Sequence, residues 1–250
     1  MDERYVKYVW IILKNAIQSL QRDNPGLSHE ELYHKAYEVV MNKHGFKMYN
    51  GLRELLTEHL QTKVLPELLE NLDGQLLSKL NEVWIEHQTS MRMLGDMLGY
   101  MDGTYAAQRG LESVYVMGLQ IFRYEIVGFK AIELALREKL LDMIKLQRLG
   151  ETIEHLEIKN ACKMLVILGK GSRYVYEETF EKSFLTQTTE YYEQESKMIL
   201  ENKTVDYEQE MKLQIAKESA RISEYLDKET QQRVKQLLEE IVEKYRTKNV

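Results

Sequence analysis

Leu27-Ser28-His29-Glu30-Glu31-Leu32-Tyr33-His34-Lys35-Ala36-Tyr37-Glu38-Val39-Val40 is the stretch from which the rest of the 250-residue chain can be read. Pro25-Gly26 marks a turn just before it. Ser28 and Glu31 have the spacing of a capping box, so a helix starts near residue 28. At about 100° per residue, Leu32, Ala36 and Val39 fall on one side of that helix. Glu30, Tyr33 and Tyr37 share an arc of about 60° on nearly the opposite side. The aliphatic side supplies core; the other presents two tyrosines, a carboxylate and the neighbouring Leu27. A tyrosine joins a large apolar ring to a hydroxyl that tolerates water, which suits a docking anchor. Periodicity alone leaves two occupants open: a helix of the same chain, since a helix in the middle of a bundle is apolar on two faces, or another protein.

Outward from this helix the pattern is helical in both directions. Tyr5, Val9, Ile12, Leu13, Ala16, Ile17 and Leu20 make one apolar stripe over residues 3 to 22. His44-Gly45 reads as a C-terminal stop of the glycine type for the helix that begins near residue 28. A third helix over residues 46 to 71 carries Met48, Leu52, Leu55, Leu56 and Leu60, with Pro66 expected to kink it. Residues 75 to 108 form one very long helix or two joined near Gly95 or Gly99, with Met93, Met97 and Met101 as a packing seam. Beyond Gly110, helices are predicted over 112–127, 129–148, 156–169, 175–202 and 205–246, the last broken near Asp227. The division falls at 109/110, giving a first repeat over 1–109 and a second over 110–250, each of about five helices.

Two prolines and thirteen glycines favour long uninterrupted helices, and 44% hydrophobic residues suffice for one sizeable core or two modest ones. A net charge of −6 with no basic stripe argues against nucleic acid as a partner. No apolar run is long enough to span a bilayer and no leader pattern opens the chain, so no membrane partner is expected and the reading is cytoplasmic or nuclear. Cys162, the single cysteine, lies in an apolar run and reads as buried packing. His29 and His34 are five apart, which turns the second about 140° from the first and defeats a helical zinc site. His44, His59, His87 and His155 read as packed or capping residues rather than ligands. Gly169-Lys170-Gly171-Ser172 lacks the spacing of a phosphate loop and reads as a helix connection. Glu-rich segments 190–210 and 238–243 read as solvated faces. No cofactor, metal or catalytic set is expected.

Ser28-x-Glu30-Glu31-Leu32-Tyr33-x-x-Ala36-Tyr37, Lys43-His44-Gly45 and Tyr49-x-Gly51-Leu52 together resemble the N-terminal region of the cullin family, in its cullin-3 branch. The resemblance continues through Thr57-Glu58-His59-Leu60, Trp84-x-x-His87-Gln88, Tyr100-Met101-Asp102 and Leu140-Leu141-Asp142-Met143-Ile144. It reaches Asn160-Ala161-Cys162 and Val175-Tyr176-Glu177-Glu178, and becomes loose over the last fifty residues. It implies an all-α fold of tandem five-helix cullin repeats forming an elongated arm, and the function of a non-catalytic scaffold in a ubiquitin ligase.

That likeness also implies a partner: a BTB-domain substrate adaptor, dimeric and so giving a two-plus-two complex, held by Leu27, Glu30, Tyr33, Tyr37 and Tyr100. Three positions depart from the family pattern. His29 stands where an aromatic is usual, and His34 and Gly103 stand where arginines are usual. Altered affinity is the expectation, with pH dependence contributed by the histidines. The family's short segment before the first helix has no match, nor does the carboxy-terminal region that binds the RING-box protein and accepts Nedd8. Adaptor binding without ubiquitin delivery is therefore expected of this chain alone. The alternative is a stand-alone helical tether for other proteins, with the tyrosines covered internally.

Overall fold

The computed structural model describes residues 3–20, 29–202 and 206–247, and among them every regular element is helical. Two compact units, Met1–Glu133 and Leu134–Val250, divide the chain. In the first lie α1 (Glu3–Leu20), α2 (His29–Met41) and α3 (Gly45–His59), which runs on through a widened π turn, Leu60–Val64, into α4 (Leu65–Glu70). After these come α5 (Leu76–Met97), a second widened turn at Met101–Ala106, and α6 (Val114–Phe122) with a third at Arg123–Val127. The second unit is built from α7 (Lys130–Arg148), which begins just before the division, α8 (His155–Leu168) and the short α9 (Tyr174–Tyr176). A turn at Glu177–Glu181 then leads to α10 (Lys182–Glu201), α11 (Tyr207–Ser223) and α12 (Lys228–Thr247).

Local chemistry explains where these helices stop and where they do not. Pro66 does not break the third helix, because the turn before it is widened: the Leu65 N–H reaches back to the Leu60 carbonyl. The proline then stands in the first turn of the resuming helix, where its missing N–H costs least. The glycine stop expected at Gly45 is displaced. Lys43 takes the left-handed conformation (φ 65°), with His44 N–H donating to Val39 O at 3.1 Å and Lys43 N–H to Val40 O at 3.0 Å. Gly45 opens α3 instead, and its role is steric: a Cβ there would lie 2.5 Å from the Tyr105 ring. Residues 75 to 108 resolve into two pieces meeting at Leu98, next to Gly99. Met97 and Met101 are buried in the seam, whereas Met93 is only half-buried.

In the first unit, α1 packs on α2 and α3, α2 on α3 and α5, and α6 on α3 and α5. Trp84 meets Phe122 at 5.2 Å between ring centroids, and His87 lies 5.0 Å from the same ring. The His87 Nε2 is 2.9 Å from the Gly118 carbonyl. Burial pushes its pKa down to about 4, against the opposing pull of that carbonyl, so the ring is neutral. A Cβ at Gly118 would lie 2.1 Å from the Met91 sulfur, so a larger residue there would force the Met91 side chain to move. These contacts put α6 in the first unit, and the compact units therefore divide later than the sequence division at 109/110.

The second unit buries two polar clusters within an otherwise apolar interior. Arg148 donates to Glu218 Oε1 at 2.6 and 3.1 Å and to the Thr188 hydroxyl at 2.8 Å. Tyr192 and Arg221 each donate to Glu218 Oε2 at 2.9 Å. Burial alone would raise the Glu218 carboxyl, yet Arg148 and these hydrogen bonds hold it below the usual carboxylate range. A second cluster joins Arg173 to Glu181 and Asp227 at 2.9 and 2.7 Å, with Arg233 and Thr230 also on Glu181. Cys162 is buried, and burial pushes its thiol up. His155 sits between Glu224 and Gln147.

Candidate partner-docking face

Helix α2 separates its two sides as its periodicity predicts. Ala36 and Val39 are buried, while Tyr33 and Tyr37 remain 39% and 38% exposed. A tyrosine covered by its own bundle would be enclosed, as Tyr49 is, with its hydroxyl on the Glu112 carbonyl at 2.9 Å. Tyr37 is instead only partly covered. The Tyr100 ring, carried by the segment that follows α5, stands 4.5 Å from it at a 58° tilt. The Tyr100 hydroxyl donates to the sulfur of Met41 at 2.9 Å. Thr104 donates to the Tyr100 carbonyl within the strip that bears Tyr100, and Asp102 accepts the Val114 N–H at 2.9 Å, which ties that strip to the start of α6. Burial raises the Asp102 carboxyl, opposed by that N–H.

Around this centre the face becomes polar and solvated. Tyr33 meets His34 edge-on at 6.0 Å, and the His34 Nε2 lies 3.9 Å from Glu30. Both partners of that pair are well exposed, so it contributes little to folding. Gly103 is exposed beyond Tyr100, and a Cβ built there meets nothing within 4 Å. Leu27, the Ser28 cap and the side chain of His29 lie outside the described residues. Helix α2 thus carries Glu30, Tyr33, His34 and Tyr37 to one face, and the strip after α5 adds Tyr100, with Gly103 close to it in sequence.

Met41, more than half exposed, was not singled out by the sequence reading. The signal for it existed: Tyr33, Tyr37 and Met41 are spaced four apart and so lie along one line of the helix. Methionine is so often core filler that the spacing carried no weight. Phe46, in the first turn of α3, is exposed as well and fell outside the apolar stripe read for that helix. Rings, a thioether and a rim carboxylate can exclude water and accept hydrogen bonds. Among the described residues no group of three histidine, cysteine, aspartate or glutamate side chains could hold a metal ion. Nor, among them, is any helix long and apolar enough to cross a membrane.

Comparison with known proteins bears on the same residues. The cullin alpha solenoid domain matches residues 10–250. The chain is 39% identical over 247 residues to Cullin-3 of Caenorhabditis elegans, covering 97% of this chain and 32% of that protein. It is 36% identical over 240 residues to Cullin-3 of Dictyostelium discoideum, covering 95% and 31%. To Cullin-3A of Arabidopsis thaliana it is 35% identical over 242 residues, covering 96% and 32%. The chain spans about a third of the length of these relatives. Helices throughout the described residues and a domain match over nearly the whole sequence agree with the motifs around Tyr33, Tyr37 and Tyr100: the chain belongs to the cullin family.

Proposed function

We propose that this chain is the adaptor-binding arm of a ubiquitin ligase scaffold, and that it binds a BTB-domain adaptor through Leu27, His29, Glu30, Tyr33, His34, Tyr37 and Tyr100, with Gly103 at the rim. The observation that carries this reading is the partial exposure of Tyr33 and Tyr37 on a helix whose opposite side is buried. Tyr37 and Tyr100 form an apolar ledge, while Glu30 accepts hydrogen bonds at the edge. A dimeric adaptor gives a two-plus-two assembly. The role is that of a scaffold without chemistry of its own, in the cytoplasm or nucleus, and no residue of this chain is assigned to RING-box binding or ubiquitin delivery.

A tether that covers its tyrosines internally would enclose both rings, so their exposure favours the adaptor reading. Calorimetry against a panel of purified BTB domains tests it. Micromolar or tighter binding to at least one is expected, about −8 kcal/mol or better. A folded chain that binds none of a broad panel would overturn the proposal.

A further inference from the structure

We infer that Met41 is a contact and positioning residue of the docking face, and that oxidation of its thioether by peroxide weakens adaptor binding. The inference rests on the adaptor-binding reading and extends it to a chemical control of the same site.

Three observations carry it. First, Met41 lies one helical turn beyond Tyr37 on the line that Tyr33 begins, so a partner covering both tyrosines also covers it. Second, its sulfur accepts the Tyr100 hydroxyl at 2.9 Å while the Tyr100 ring stands against Tyr37, so Met41 braces the aromatic ledge from below. A thioether is a weak acceptor, which satisfies the hydroxyl and still leaves the methyl and methylene groups apolar for a partner. Third, access to solvent is selective. Met48, Met91, Met97, Met101, Met117, Met164 and Met211 are buried, and Met93 and Met143 are half-buried. Among the described methionines only Met41 and Met198 are exposed, each at 54%.

Hydrogen peroxide supplies the chemistry. The sulfur lone pair attacks one peroxide oxygen, the O–O bond breaks, an S–O bond forms and water leaves; sulfur is oxidised and peroxide reduced. The product is a polar, chiral sulfoxide at the edge of an apolar contact. Docking an adaptor would then enclose a strongly polar oxygen where the apolar thioether had been, at the cost of burying a polar group short of hydrogen bonds. Met41→Leu keeps the apolar volume, loses the Tyr100 hydrogen bond and has no sulfur to oxidise.

The full-length chain is titrated calorimetrically with the tightest-binding BTB domain of the panel, before and after brief peroxide treatment and catalase quenching. Peptide mass spectrometry maps the oxygen uptake. Met41 and Met198 should be modified, Kd should rise about tenfold, and methionine sulfoxide reductases should restore it, with circular dichroism unchanged. Met198→Leu should behave as the parent chain, whereas Met41→Leu, without the Tyr100 hydrogen bond, should start about threefold weaker and show no further change in Kd after peroxide. Prior saturation with the adaptor should protect Met41. An unchanged Kd with Met41 fully converted, or a peroxide-induced loss in Met41→Leu equal to the parent's, overturns this inference alone. If the untreated chain binds no adaptor, the adaptor reading falls and takes this inference with it.

Discussion

The two compact units place their polar chemistry in opposite directions. In the first, the interior is mainly aromatic, aliphatic and thioether, closed by contacts such as Gly45 on Tyr105 and Gly118 on Met91. Its tyrosine and carboxylate surface on α2 faces solvent. In the second unit Arg148, Glu218, Thr188 and Tyr192 are turned inward and bonded to one another. A group that the fold uses to satisfy a buried charge has little freedom to change, whereas a ring left partly in water adds less to folding and remains available for recognition. Substitution should therefore separate the two: second-unit changes cost stability and spare binding, and α2 changes do the reverse.

The largest effect is expected at Glu218. Glu218→Ala leaves the Arg148 guanidinium buried with only a hydroxyl acceptor, and breaking such a pair costs about 3–5 kcal/mol. Replacing both partners by apolar residues, as in Arg148→Met with Glu218→Leu, should recover much of that loss. Trp10 and Trp84, the two tryptophans, both lie in the first unit, so their fluorescence reports on that unit alone. Urea unfolding followed by circular dichroism should shift strongly in Glu218→Ala, and the tryptophan transition much less. Equal shifts in both signals would dissolve the comparison.

Acid should act next, and in the first unit. His87 is neutral in the folded chain with a pKa of about 4, against an ordinary value of 6.5. Below 6.5 the unfolded chain takes up a proton that the folded chain refuses, so stability is complete above that pH, declines as pH falls to about 4, and then levels off. The full loss is about 3 kcal/mol. His87→Gln should flatten this slope in the tryptophan-monitored transition, at some constant cost in stability. Glu218 follows the carboxylate pattern: its contribution holds above the ordinary carboxylate range and is lost as pH drops through its lowered value.

Periodicity and capping made most of the helices legible, and where they failed the reason was local or long-range geometry. Ala36 and Val39 were placed in the core from spacing alone, and they are buried. Spacing cannot say what covers the other side of a helix, so the exposure of Tyr33 and Tyr37 needed coordinates. Tyr100 entered through family likeness; its hydrogen bond to Met41 joins positions 59 apart, and no local pattern encodes it. Arg148 and Glu218 are 70 apart and sit on helices rich in other charged residues, so nothing in the sequence distinguished this pair from surface charge. Gly45 was misassigned because glycine suggests a left-handed turn, while the space taken by Tyr105 supplied the actual constraint.

On the binding side, Tyr37→Ala should weaken adaptor affinity by about 2 kcal/mol, close to thirtyfold in Kd. Unfolding should change by about 1–2 kcal/mol, well below the Glu218→Ala loss, because over a third of the residue's surface stays in water. Tyr37→Phe separates ring from hydroxyl: retained binding assigns the energy to the apolar ledge with Tyr100. A destabilised but still binding Tyr37→Ala chain would reverse the roles given to the two units.

The smallest and most local test is Gly103→Arg. The position is exposed, its φ is not in the left-handed region, and a side chain there meets nothing within 4 Å. Stability should shift by less than about 1 kcal/mol, in the direction of gain, since glycine in a helical turn is the poorer choice. The resemblance implies an arginine at this position, so adding the cation should raise the association rate at low salt and leave it nearly unchanged at high salt. Stopped-flow mixing with the same BTB domain at two ionic strengths measures this directly. A rate indifferent to the new charge at low salt would put Gly103 outside the contact, and the docking face would then end at Tyr100.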